Sequence, residues 1–168
     1  MKKNLFPILG LLASLSVASC QPEEDFGDIG EPFATPESTI GDFQLERVVQ
    51  VDNDAVNNNY PAAVQRLDLT SDYPYNQVVF SFQANGTEPT TFAVTNPGNA
   101  PIFLSNGTWK FDDSRGARKI IISQANGRRD TLEYGKSYRP SDNKLGLRLL
   151  RRSGNRTLVT YEMNFVRK

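Results

Sequence analysis

The 168 residues carry 19 Lys and Arg, 19 Asp and Glu, one Cys and no His. That length supplies one domain with a core of its own, and 38% hydrophobic with 23% charged residues describes a globular chain rather than a disordered one. Without His this chain builds no Ser-His-Asp triad, Cys-His dyad or His-ligated metal site, and a single Cys makes neither an internal disulfide nor a zinc ribbon.

The chain opens on Lys2 and Lys3, followed by an apolar stretch of 13 residues from Leu5 to Val17. As a helix this stretch reaches about 20 Å, short of the roughly 30 Å hydrocarbon core, and it has the length of a secretory signal. Val17-Ala18-Ser19-Cys20 then resembles a bacterial lipobox. The resemblance implies cleavage after residue 19 and lipidation of Cys20, hence attachment to a membrane by acyl chains. Gln21-Pro22-Glu23-Glu24-Asp25 resembles the export signal of surface-exposed lipoproteins in Bacteroidota. It implies outer-membrane anchoring with display at the cell surface, a periplasm-facing attachment being the alternative. Residues 20–39, acidic at first and carrying Pro22, Pro32 and Pro36, read as a tether.

From residue 40 the pattern is that of strands. Phe43, Leu45, Val49 and Val51 alternate with Gln44, Glu46, Gln50 and Asp52. The same period of two predicts strands at about 77–84, 90–95, 107–113, 118–124, 129–135, 144–152 and 156–166, which with 42–52 makes eight. Asn85-Gly86, Arg115-Gly116, Asn126-Gly127 and Ser153-Gly154-Asn155 stand between neighbours, and Asn and Gly accept the positive φ that tight hairpins require. The expected fold is all-β: an antiparallel up-and-down meander closing into an eight-stranded barrel over residues 40–168, with a sandwich as the other architecture. Residues 53–76 interrupt the pattern. Pro61 suits a first helical turn and Ala63, Val64 and Leu67 have helical spacing, so a short helical insertion is expected between strands one and two, placed to cap one mouth of the barrel.

Gly41-Asp42-Phe43 and Gly107-Thr108-Trp109 resemble the strand openings of lipocalins, although Phe43 stands where lipocalins carry Trp and the Trp falls on a middle strand. Val48 through Ala55, Tyr60-Pro61, Asp72-Tyr73-Pro74-Tyr75 and Gly98-Asn99-Ala100-Pro101 extend the likeness over roughly residues 40–168. In these motifs the chain is similar to a family of lipocalin-like lipoproteins of Bacteroidota. The resemblance implies the barrel fold and the anchor but no reaction, no cofactor and no functional residue.

Phe80, Phe82, Phe92, Trp109, Phe111 and Tyr161, together with Phe165, fall on interior positions, where they either line an apolar pocket or fill the barrel. Tyr60, Tyr73 and Tyr75 gather in the insertion, suited to contact a sugar or partner or to pack the insertion down. Asp52-Asn53-Asp54 with Asn57, Asn58 and Asn59 offers oxygen ligands, yet lacks the Gly and terminal Glu of an EF-hand and reads better as a helix cap with a solvated loop. Asp112 and Asp113, adjacent on a strand, point to opposite faces and make no acid–base pair.

Charge is lopsided: residues 21–103 hold two basic and 13 acidic side chains, and residues 104–168 hold 15 basic and six acidic. The basic half admits a polyanion reading, although mutual neutralisation within one body is the simpler one. Nucleic acid is not expected, because no stacking aromatics are interleaved among the basic residues. The expected protein is therefore a non-enzymatic, membrane-anchored binding module for a small apolar molecule, a glycan or an envelope protein; the alternative is a solid-core subunit of a surface assembly.

Overall fold

A computed structural model describes residues 36–113, 116–135 and 142–168; the signal segment, Cys20 and most of the tether lie outside them. A one-turn helix α1 (Pro36–Thr39) precedes β1 (Gly41–Asp52), α2 (Asn53–Asn57), α3 (Ala62–Gln65) and β2 (Arg66–Asp68). A 3-10 turn at Tyr75–Gln77 leads into β3 (Val79–Asn85), β4 (Glu88–Thr95), β5 (Gly107–Phe111), β6 (Lys119–Gln124), β7 (Arg129–Tyr134), β8 (Lys144–Ser153) and β9 (Arg156–Arg167). Strands β3 to β9 pair in chain order, all antiparallel, and β9 returns to β1 from Phe43↔Arg167 to Asp52↔Val159. β1 with β3–β9 is thus a closed, eight-stranded, lipocalin-like up-and-down barrel, with a short helical insertion after β1 as the sequence pattern predicts.

Closure leaves β1 no bare edge. One side pairs with β9; on the other, Gly41–Gln44 pair with β3 and Val49–Val51 pair with the three-residue β2. Inward positions follow the period of two: Phe80 and Phe82 on β3, Phe92 on β4, Trp109 on β5, Ile120 and Ile122 on β6, Leu132 on β7, Leu145, Leu147 and Leu149 on β8, Met163 and Phe165 on β9, all buried in one core.

The alternation breaks once, on β1. A bulge between Leu45 and Arg47 shifts the register against β9, and an extra residue on one strand reverses which side chains face in. Phe43 and Leu45 share the interior with Val48, whereas Val49 and Val51, expected on the same face as Phe43, are buried outside the core, opposite Glu162 and Thr160 of β9. Their cover is the insertion. α2 packs on β1 and β9, its buried Ala55 also lies outside the core, and Asn53 donates to the Thr160 hydroxyl at 3.0 Å. The helices therefore lean on the outer wall and do not cap the mouth. The mouth is capped by Tyr75 and Val78 of the 3-10 turn and by Ala100 and Leu104 of the β4–β5 loop, all members of the core. α3 ends at Gln65 with none of its residues buried, and Leu67 belongs to β2.

The two ends of the barrel differ. At the entry end, where α1 leads into β1, Thr39 is fully buried and its hydroxyl meets the Tyr134 hydroxyl at 2.6 Å. Arg167 donates to the carbonyls of Ile40 (2.7 Å) and Ser38 (2.9 Å), its guanidinium lying 4.8 Å from the centre of the Phe43 ring. At the opposite, insertion end gather α2, α3, β2, the β4–β5 loop and the β6–β7 and β8–β9 turns.

Candidate functional site

Five of the six candidate ligand residues form one continuous chain of rings. Phe80 meets Phe92 at 5.3 Å between centroids, Phe92 meets Phe82 at 5.1 Å, Phe82 meets Trp109 at 5.2 Å and Trp109 meets Phe111 at 5.0 Å, mostly edge to face. Phe165 adds to the chain from β9, 4.9 Å from Phe80. Phe80, Phe82, Phe92 and Trp109 are buried, and the indole N–H of Trp109 is spent on the Gln83 carbonyl at 2.7 Å. The sixth residue, Tyr161, stands apart at the insertion end, tilted against Phe103 at 5.1 Å.

Phe80 and Tyr161 alone of the six reach a pocket there. Tyr75, Phe103, Leu104 and Met163 complete its wall, and its volume of about 20 Å³ is room for about one water molecule. Its floor is core and its lid is the β4–β5 loop. That loop is tied down by polar bonds: Asn96 bridges both backbone groups of Ala100, and Ser105 gives its N–H and hydroxyl to the Gln124 side-chain oxygen at 3.2 and 2.6 Å. Gln124 in turn donates to the buried Asp130, which Arg128 (2.9 Å) and Arg151 (3.2 Å) neutralise. Arg151 also lies 4.6 Å from the centre of the Phe103 ring. Burial raises the Tyr75 hydroxyl above its ordinary pKa, so it stays neutral beside this pocket.

Around the pocket stand the exposed large hydrophobic residues: Val56 on α2, Tyr60, Val64 on α3, Leu67 on β2, Tyr73, Phe103 and Leu158. All belong to the insertion, the β4–β5 loop or the first turn of β9, hence to one end of the barrel. Tyr60, Val64 and Leu67 are 55%, 57% and 52% exposed. Of the three Tyr residues singled out in the sequence, Tyr75 packs the insertion onto the core, while Tyr60 and Tyr73 remain at the surface.

The other constellations have structural partners. Asp52 caps α2, accepting from the N–H groups of Asp54 (2.9 Å) and Ala55 (3.0 Å), and Asp54 pairs with Arg156 at 2.6 Å. Among the described residues no three carboxylates or thiols converge as a metal site. Partial burial pushes the Asp112 carboxyl up, but hydrogen bonds from the Lys119 and Arg118 N–H groups outweigh it and hold the group below its ordinary range. Phe103, Gln124 and Arg151 belong to no motif of the sequence; only the sheet register brings Asp130 and Arg151 to the same mouth. No family model, curated protein or solved structure matches the chain.

Proposed function

We propose that the protein is a lipid-anchored, non-enzymatic recognition module of the outer membrane, held through Cys20 and displayed at the cell surface. In this reading the barrel is a solid support, and its insertion end is the contact surface for a protein of the envelope. One observation carries it: every exposed large hydrophobic residue of the described chain lies at the end of the barrel away from the tether. Scattered apolar residues need no explanation, but a group confined to one end marks a contact surface. β1 begins at the other end, and in this reading the group faces away from the membrane. The interior rings supply rigidity rather than a binding chamber, and Tyr60 and Tyr73 offer apolar bodies with polar tips.

A second reading has the roughly 20 Å³ pocket at Tyr75, Phe103 and Tyr161 in its favour. A small apolar molecule enters there only if the β4–β5 loop lifts. Native mass spectrometry of the detergent-extracted protein from its own host separates the two. The proposal expects a stoichiometric protein partner that is lost in a Tyr60→Ser, Val64→Ser, Tyr73→Ser variant. A co-purified small molecule without a protein partner overturns it in favour of the pocket. The anchor is read independently: Cys20→Ser is expected to abolish fatty-acyl labelling and to leave the protein out of the membrane fraction.

A further inference from the structure

The charge asymmetry of the sequence becomes a place in the fold. Six acidic and no basic residues lie between residues 21 and 37, while residues 38–168 hold 17 basic against 13 acidic. By sequence, residues 38–168 carry a small positive excess and residues 21–37 a negative one. The outer faces of the barrel are also unequal. On β3 and β4 the outward positions Val79, Ser81, Ala93, Thr91 and Thr95 are uncharged.

Across β6, β7, β8, β9 and β1 the outward positions Lys119, Glu133, Arg148, Glu162 and Val49 form one cross-strand row. Three more cations flank it: Arg152 beside Glu133, Arg66 on Glu162, and Arg47 on Asp68 at 2.8 Å. Five cations thus face three carboxylates. Glu133 is shared by Lys119, Arg148 and Arg152 at 3.4, 3.5 and 3.8 Å, all longer than a charge-assisted hydrogen bond. The carboxylate is recessed, its side chain 20% exposed, whereas the three cations around it are about half exposed. Around Glu133, therefore, positive charge stands outermost.

Within the row lies a groove of about 140 Å³, bordered by Arg47, Arg66, Arg148, Asn164 and the carboxylate of Glu162, which Arg66 pairs, with Gly135 and Gly146 adding backbone to its lining. The Nε of Arg148 is buried and finds no acceptor among the described residues. Buried, that N–H is out of a ligand's reach, but the half-exposed terminal nitrogens of Arg148, no closer than 3.5 Å to Glu133, suit an anion whose oxygens accept two parallel bonds. The groove is well below the roughly 300 Å³ at which sites for drug-sized molecules begin, so it takes one acidic group at a time. No exposed large hydrophobic residue borders it, and a membrane surface or amphipathic peptide would need such anchors.

We infer that the β6–β9 and β1 wall is a second binding surface, independent of the insertion end, for an acidic polysaccharide. One carboxylate or sulfate of the polymer sits in the groove against Arg47, Arg66 and Arg148, and neighbouring acid groups run toward Lys119 and Arg152.

The test uses the full protein with polygalacturonate, dextran sulfate, neutral dextran and phosphatidylglycerol vesicles as probes. Expected is retardation in gels containing either acidic polymer and none with dextran; the more retarding polymer names the acid group. Raising NaCl from about 50 to about 300 mM weakens the affinity roughly tenfold or more. The double substitution Arg47→Gln, Arg148→Gln weakens it by a similar factor and flattens the salt dependence, while Arg148→Lys, which keeps the charge and loses the fork, falls between. Arg156→Gln, at the β8–β9 turn, leaves affinity unchanged. If circular dichroism shows the first double variant unfolded, Arg66→Gln with Arg152→Gln, both half exposed, reads the same surface. Unchanged binding in a folded double variant, equal retardation by dextran, or binding to vesicles and to neither polymer overturns the inference.

Discussion

The two ends of this barrel are finished by opposite means. The entry end is closed with polar chemistry: a part-buried hydroxyl pair, Thr39 with Tyr134, and an arginine, Arg167, that holds the incoming backbone by two carbonyls. The insertion end is capped by hydrophobic residues of two loops and then leaves further apolar side chains in water. Removing one member of a part-buried hydroxyl pair leaves the other short of a partner, so a change at the entry end lowers stability. Exposed Tyr and Val side chains contribute little to stability, so the insertion end is free to vary in chemistry. Polar closure and exposed apolar surface thus stand at opposite ends.

The largest effect is expected from Gly107→Ala, where β5 begins at the insertion end. A Cβ there collides with the Ser123 carbonyl oxygen and comes within 2.8 Å of the Gln124 Cα. Because the obstacle is backbone, β5 and β6 must part beneath the loop that Gln124 anchors, at a loss of about 3 kcal/mol read by chemical denaturation. That end is then shown to rest on one close backbone approach. At the entry end Arg167→Met removes both carbonyl bonds and the cation over Phe43, and a loss of about 2 kcal/mol is expected in the same measurement. Thr39→Val keeps the shape and takes from the half-buried Tyr134 its hydroxyl partner, for about 1 kcal/mol. Burial already raises the Tyr134 pKa far above its ordinary value, the Thr39 bond working against that rise, so ionisation offers no relief.

Smaller still is the effect of the Tyr60→Ser, Val64→Ser, Tyr73→Ser variant, whose melting temperature is expected to stay within the range of about 0.5 kcal/mol per site. A large loss there makes the rim part of the core and breaks that contrast. The smallest effect is one of pH. Asp68 accepts from the Thr70 hydroxyl and N–H and from Arg47, which hold its carboxyl at about 2, below the ordinary 3.8. A depressed carboxyl contributes stability above its unfolded pKa and loses it as the pH falls from about 4 toward 2. The Asp68 side chain is about half exposed, so screening by water keeps the contribution slight. Asp68→Asn is expected to melt with a shallower slope than the parent across that window.

How much of this is written in the chain varies with the physics involved. Strand positions follow from alternation, and the two Asn-Gly turns adopt the positive φ they announce, at Gly86 and Gly127. Barrel closure follows from eight such strands in a meander. The bulge on β1 does not, because neither Gly nor Pro marks it; the adjacent buried pair Val48 and Val49 is its trace, two neighbours that bury only if both faces of the strand are covered. The outer cover comes from α2, whose docking depends on Thr160, more than a hundred residues away. The interior aromatics are legible as interior, but whether rings meet across a barrel depends on rotamers and tilt that alternation does not encode. The exposed rim was half legible: Tyr60 and Tyr73 stand out by type, whereas Phe103 comes to the same mouth through loop geometry alone.

The pairing of β1 with β9 also sets an order of events. β1 is made early, yet along most of its length the neighbour on one side is a segment more than a hundred residues downstream. Until that segment emerges, the strand carries a row of unsatisfied amides and carbonyls, and distant pairings form slowly. A nascent chain of this design has reason to stay bound to a chaperone or to remain unfolded until synthesis is nearly complete, which is also the state in which a polypeptide can be threaded through a narrow translocation pore.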